Sequence, residues 1–229
     1  MITAHHLVFG KYTQPIPTDY FLAYNFDGNL LDSSGNGRNA TANGTITYGV
    51  GRKGVAGTAI QFGSGNIITP TLPTSSVWSF SFWIKNTNAQ IGQIIELTSN
   101  PEATEGCFTF GNWGANNFRM LETVNQNHKS APNSPSTSIY DTNWHHVVVI
   151  FNKNNSANDE ITLYLDSVKQ TLYIVNGQNN DTTGNFISGV LYIGGRGASN
   201  AYKYSGLIDD FKLFNYPLTQ TQITNLYNE

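Results

Sequence analysis

The sequence predicts an all-β, two-sheet antiparallel sandwich closed by one short C-terminal helix, and three observations predict it. From Phe21 onward, short apolar runs alternate with Gly/Asn/Ser turns at the spacing of a sandwich. Several runs alternate strictly. In Ser79-Phe80-Ser81-Phe82-Trp83-Ile84, Phe80 and Phe82 share one face while Ser79, Ser81 and Trp83 share the other. Helical periodicity is almost absent before the C-terminus.

Composition supports a single large core. A chain of 229 residues is long for one domain, yet sandwiches reach this size as one unit. The 39% of hydrophobic residues, with 13% aromatic, can fill the space between two packed sheets. Charged residues make up only 12%, about half the usual share, so Asn, Thr, Ser, Gln and Gly supply the polarity. The net charge of -3, with no Lys/Arg cluster, excludes nucleic acid as the main partner, because that binding depends on neutralising phosphates. The one cysteine, Cys107, has no internal disulfide partner. No segment approaches the length of a membrane span, and Met1–Tyr20, with His5, His6, Pro15 and Pro17, shows no secretory signal.

Along the chain, residues 1–19 are set apart as an N-terminal arm or an edge strand, and 20–229 form the domain. Leu7–Phe9 is a short apolar run, and the prolines after it favour extended backbone. Strands are expected at Phe21–Phe26, Ala59–Gln61, Trp78–Lys85, Gly92–Leu97, Cys107–Phe110, Phe118–Glu122, His145–Asn152, Ile161–Leu165, Val190–Ile193 and Leu207–Phe214. In the His145 strand, Val147, Val149 and Phe151 lie on one face and Val148 and Ile150 on the other, as a doubly covered central strand requires. The polar stretches Asn152–Asn158 and Gly177–Gly184 are expected to be hairpin loops. Pro217-Leu218-Thr219 leads into a helix over Gln220–Asn228, with Thr219 and Gln222 placed as a capping box.

Four segments resemble the hallmarks of the laminin G-like, concanavalin A-like jelly-roll family. They are Tyr24–Asn29 with Asp32–Gly37, Gly57–Phe62 with Trp78–Ile84, Asn143–Val147 with Leu163–Asp166, and Ile193–Gly195 with Ser205–Asn215 and Pro217–Thr219. The likeness runs from about Tyr20 to the end and implies a jelly roll. The family's usual Asp-Gly hairpin is here Asp166-Ser167, so a turn of another type is expected.

In that family a calcium ion is often found between the strands carrying the first and last of these segments, which implies Asp27, Asn29, Asp32, Asp209 and Asp210 as metal-site residues. An equal alternative is that Asp27, Asp32 and Asn36 make Asx turns while Asp209 or Asp210 caps backbone donors. Strand alternation sends Asp209 and Asp210 to opposite faces, so only one of them is expected as a direct ligand. Zinc is not expected from His5, His6, His128, His145 and His146, because adjacent strand histidines point apart.

Catalytic residues are not expected. Glycosidases of this fold carry closely spaced acidic residues on one strand, and no Glu-x-Asp-x-Glu run exists. Glu102, Glu105 and Asp159-Glu160 are expected as solvated charges, and Gly63-Ser64-Gly65 as a turn rather than a nucleophile elbow. A neutral surface holds sugar by stacking rings and bonding hydroxyls. Two loops mix such residues, 111–118 and 195–204, and give the ligand-binding candidates Trp113, Asn116, Arg196, Asn200, Tyr202 and Tyr204. Covering the sandwich edge is the competing role for each.

The leading expectation is a non-catalytic module binding a glycan or cell-surface ligand, extracellular or exposed on a virus or phage particle for host attachment. Residues 1–19 would dock it to other particle proteins or into a homo-oligomer. A secreted lectin-like protein is the alternative, and a glycan hydrolase or lyase a third.

Overall fold

The computed structural model describes residues 15–86, 91–97, 106–112, 117–122, 127–132, 139, 141–179, 184–197 and 202–229. Among these residues sixteen strands and one helix follow in order. They are β1 Leu22–Tyr24, β2 Thr41–Asn43, β3 Thr47–Val50, β4 Ala56–Phe62, β5 Asn66–Ile68, β6 Val77–Asn86, β7 Gly92–Leu97 and β8 Phe108–Asn112. Then come β9 Asn117–Glu122, β10 Asn127–Pro132, β11 His145–Asn152, β12 Ile161–Leu165, β13 Val168–Lys169, β14 Tyr173–Asn179, β15 Leu191–Ile193, β16 Gly206–Phe214 and α1 Gln220–Tyr227.

The strands form two antiparallel sheets. Sheet A runs β13-β12-β11-β6-β16-β4-β3, with β1 also paired to β16, and sheet B runs β14-β10-β9-β8-β7-β15-β5-β2. The pairing of β1 with β16 sets Leu22 opposite Leu213, so the start and end of the domain share a ladder. Every strand expected from the sequence is present. The strands β2, β3, β5, β10, β13 and β14 were not expected.

Alternation decides what each strand buries. Trp78, Phe80, Phe82 and Ile84 of β6, with Val147, Val149 and Phe151 of β11, face the inter-sheet core and meet Phe108 and Phe110 of sheet B. Phe108 stacks on Phe151 at 4.6 Å and meets Phe80 edge-on at 5.4 Å, which adds to burial the preference of aromatic pairs for offset and T-shaped contacts. The opposite faces of the same strands build a second core. Val148, Ile150 and Phe214 pack under Leu218, Ile223 and Leu226, so α1 covers the outer face of sheet A. Ile16 and Tyr20 join that second core. Residues 15–19 form no strand, and the Leu7–Phe9 run lies outside the described residues. The capping box is formed, with Thr219 Oγ1 accepting from Gln222 N and Gln222 Oε1 accepting from Thr219 N.

Three local expectations change. Asp166 and Ser167 both have positive φ, 48° and 65°, the pattern of a type I′ hairpin, so the turn keeps that class without its glycine. Asp166 tolerates it because its carboxylate is anchored, accepting from the His146 N–H at 2.9 Å. The stretch from Gly177 begins as strand, since β14 runs to Asn179. Glu160 is fully buried rather than solvated, while Asp159 is exposed; the turn folds back so that Asn152 N bonds Glu160 O at 2.7 Å.

Candidate functional site

The two sugar-binding loops proposed from composition leave the sandwich side by side. Asn112 ends β8 where the first loop begins, and Tyr204 closes the second. Both bond the same side chain: Tyr204 Oη donates to Asn86 Oδ1 at 2.8 Å and Asn112 Nδ2 donates to it at 3.2 Å. Asn86 Nδ2 in turn donates to Ile139 O. Trp113, Asn116 and Asn200 lie outside the described residues.

Glycines bring the second loop into place. A Cβ at Gly194 would sit 2.2 Å from the Phe62 ring, and one at Gly92 would sit 2.7 Å from the Tyr204 Cα. The chain therefore passes close to β7, where Gln93 N donates to Tyr202 O at 2.8 Å. Tyr202 follows in a left-handed conformation (φ 45°) that turns it outward, 47% exposed. The Arg196 guanidinium lies 4.7 Å over its ring. Arg196 Nε also donates to Glu96 Oε2 at 2.9 Å, and Glu96 is fully buried. Sequence reasoning missed Glu96, although a lone carboxylate inside Gln-Ile-Ile-Glu-Leu is a visible signal.

Tyr204 does not share this exposure. It is 1% exposed, its ring packs 6.2 Å from Phe62, and its hydroxyl is spent on Asn86. The ligand-facing position expected for it is corrected, because the chain turns at Tyr202 and carries Tyr204 inward. What remains at the surface is an exposed ring, a guanidinium fixed by a buried carboxylate, and the exposed Lys203. Such a set can stack on an apolar ring face and donate to hydroxyl or carboxylate oxygens.

The acidic residues form a different locus. A cavity of about 270 Å³ is lined by Asp27, Lys53, Thr58, Asp209, Asp210 and Glu229, among others. Asp209 and Asp210 do not go to opposite faces as alternation predicts. The β6–β16 register slips between Asp209 and Lys212, and Asp210 has φ 48°, so a bulge sends both carboxylates toward Arg52. Asp209 Oδ2 accepts from Arg52 N at 2.9 Å and Asp210 Oδ2 from Arg52 Nε at 2.6 Å. Burial pushes the Asp209 carboxyl up to about 6. The Arg52 guanidinium lies 4.8 Å over Trp83.

Asp32 lies beside the smaller hollow that also holds Asp27 and Asn29. Its oxygens accept from Ala23 N, Ser34 N, Ser34 Oγ and Arg38 N at 2.8–3.0 Å. Burial raises its carboxyl, but these four bonds outweigh that and hold it below the ordinary value. Asn29 makes an Asx-type contact, accepting from Leu31 N. The donors around the larger cavity are oxygen-rich, as a hard cation prefers. Among the described residues, however, no three carboxylate, histidine or cysteine groups converge as they stand to hold an ion.

His145 and His146 serve the fold. His146 Nε2 pairs with Ser81 Oγ at 2.8 Å, and burial holds its ring neutral, with its pKa at about 3. His145 bridges two carboxylates, with Nδ1 2.8 Å from Asp166 and Nε2 3.0 Å from Asp141. The Asp166 hydrogen bond leads in raising it to about 9.

Comparison with known proteins agrees with this architecture. A family model described as the concanavalin A-like lectin/glucanases superfamily matches residues 55–224. No curated protein sequence matches the chain. Among solved structures, domain 4 of an extracellular arabinanase from Geobacillus stearothermophilus, in complex with arabinotriose, superposes with a TM-score of 0.67 at 18% identity, covering 91% of this chain and 98% of that one. The binding domain of a botulinum neurotoxin in complex with rat synaptotagmin II gives 0.66 at 17% identity, over 93% of this chain and 52% of that one. A type C botulinum neurotoxin structure, whose cell entry depends on two ganglioside molecules, gives 0.64 at 16% identity, over 92% and 51%. The chain thus spans about half of the toxin domains it resembles. At these identities the likeness shows the fold alone.

Proposed function

The chain belongs to the concanavalin A-like lectin/glucanases superfamily, and from that premise we propose that it is a non-catalytic recognition module holding a glycan of a cell-surface molecule against Tyr202. The observation that carries this is the exposed Tyr202 ring, capped by an Arg196 guanidinium that a buried Glu96 fixes in place. A ring fixed before the ligand arrives loses little freedom on binding. One structure of this fold is in complex with arabinotriose, and the cell entry of a toxin that carries the fold depends on gangliosides, which supports a sugar as ligand. Calorimetric titration with arabino-oligosaccharides and with ganglioside headgroups tests it. Saturable binding that Tyr202→Ala weakens supports the reading, and release of reducing ends from either set would favour an enzyme instead.

A place on the exterior of a virus or phage particle is the finer version of this reading, with secretion as a lectin the alternative. Residues 15–19 pack on the helix side of sheet A, where Pro17 is buried and Tyr216 Oη donates to Asp19 at 2.6 Å, so residues 1–19 are the segment whose removal tests it. Light scattering of the full chain and of a chain starting at Tyr20 separates the two. An oligomer that becomes monomeric on truncation favours the particle, and monomers in both favour the lectin.

Calcium is proposed as an accessory ion at the cavity of Asp27, Asp209, Asp210 and Glu229. Its support is the oxygen-rich lining, four carboxylates beside Lys53, although Arg52 already pairs with Asp210 and Lys212 with Glu229. An ion bound only to the folded state raises the melting temperature by mass action. Chelation that lowers the melting temperature, reversed by calcium, is the expected result.

A further inference from the structure

Asparagine is followed by glycine at Asn36-Gly37, Asn43-Gly44 and Asn176-Gly177. Such pairs are open to spontaneous loss of the side-chain amide, because the glycine nitrogen has no Cβ beside it to hinder its approach. The fold treats the three pairs differently. Asn36 Nδ2 donates to Tyr20 O at 2.9 Å and to Phe21 O at 3.3 Å. Asn43 lies in β2 opposite Asn66, and its Nδ2 donates to Asn66 Oδ1 at 3.0 Å. Both carboxamides are tethered.

Asn176 has no such tether among the described residues. It is exposed, as is Gly177, and both have positive φ, 54° and 71°. The β10–β14 register passes from Lys129↔Ile174 to Asn127↔Asn179, an irregularity that sets the four residues 175–178 opposite one residue of β10. Around Gly177 a Cβ would meet nothing within 4 Å. Among the described residues β14 is also the last strand of sheet B, so no described strand in that sheet covers its outer side.

We propose that Asn176 is a spontaneous modification site, converting to aspartate and isoaspartate while Asn36 and Asn43 are preserved. The Gly177 nitrogen attacks Asn176 Cγ and forms a C–N bond. The Cγ–Nδ2 bond breaks, and the amide leaves as ammonia carrying the proton lost by Gly177 N. Water then opens the cyclic imide at either carbonyl, giving aspartate or, with the backbone rerouted through the side chain, isoaspartate. Either product adds one negative charge at the sheet edge beside the exposed Tyr173 and Ile174. The bulge can take up the extra backbone bond of isoaspartate, because four residues of β14 already stand opposite one of β10 there.

The test is peptide mapping of the intact folded chain, aged in mildly alkaline buffer at physiological temperature, beside the same chain aged in denaturant. The mass difference between amide and acid, with isoaspartate read by enzymatic methylation, reports each site. The folded chain is expected to convert Asn176 several-fold faster than Asn36 and Asn43, whereas in denaturant the three rates converge. Equal rates in the folded chain, or Asn36 or Asn43 converting first, would overturn the proposal, as would no conversion at Asn176 while the denatured chain reacts there.

Discussion

Arg196 Nε lies 2.9 Å from Oε2 of the fully buried Glu96 and ties the loop after β15 to the C-terminal end of β7. A buried pair of this kind is costly to break from one side, since the survivor keeps a charge without its counter-ion. Arg196→Ala, which strands the fully buried Glu96 carboxylate, is therefore expected to lower stability by about 3 kcal/mol, read as a drop in urea midpoint with an unchanged slope. Glu96→Gln keeps the shape and should cost less.

Asp32 locks the first loop. Its four acceptor contacts order the chain between Ala23 and Arg38. Asp32→Ala should cost about 2 kcal/mol. Its folded carboxyl is depressed, so this contribution is present above the ordinary carboxylate pKa and is lost as the pH falls through the folded value. Acid unfolding of the wild type should accordingly be steeper than that of the variant.

His145 gives the opposite pH dependence. Its pKa rises from 6.5 to about 9 in the fold, chiefly through the Asp166 hydrogen bond and then through Asp141. A raised folded value means the stabilisation is fully present below 6.5 and disappears as the pH climbs through about 9. Melting temperatures between pH 6 and 10 should fall over that window in the wild type and stay flatter in His145→Gln. Identical profiles would remove the Asp141–His145–Asp166 bridge as a stabilising element.

Thr219→Ala removes the acceptor for Gln222 N and should cost about 1 kcal/mol. The loss should appear first at α1, as faster amide exchange over the Val148 and Ile150 face it covers.

Strands with long alternating runs were legible because alternation is a direct image of two packed faces. Val147, Val149 and Phe151 against Val148 and Ile150 is the clearest case. The six unexpected strands are short, exposed or polar. β10 reads Asn-His-Lys-Ser-Ala-Pro, and β14 carries Asn176-Gly177, a turn signal that here marks an irregular strand. Their pairing is imposed by neighbouring strands rather than by their own propensity. At the candidate site, loop composition singled out Arg196, Tyr202 and Tyr204 alike, and it could not separate exposed Tyr202 from buried Tyr204, because the left-handed turn that does so leaves no mark in the residue types. Arg52 was invisible for another reason. It meets Asp209 and Asp210 across more than half the chain, and only the bulge in β16 brings them together.

The most direct test of the central claim is a calorimetric titration of the wild type and Tyr202→Ala with the same oligosaccharide panel. Tyr202 is 47% exposed, so the substitution should change stability by no more than about 0.5 kcal/mol. The account predicts saturable binding to the wild type that is weakened at least several-fold in the variant at equal melting temperature. Binding of equal strength in both proteins would contradict it and move the ligand away from the loop end of sheet B.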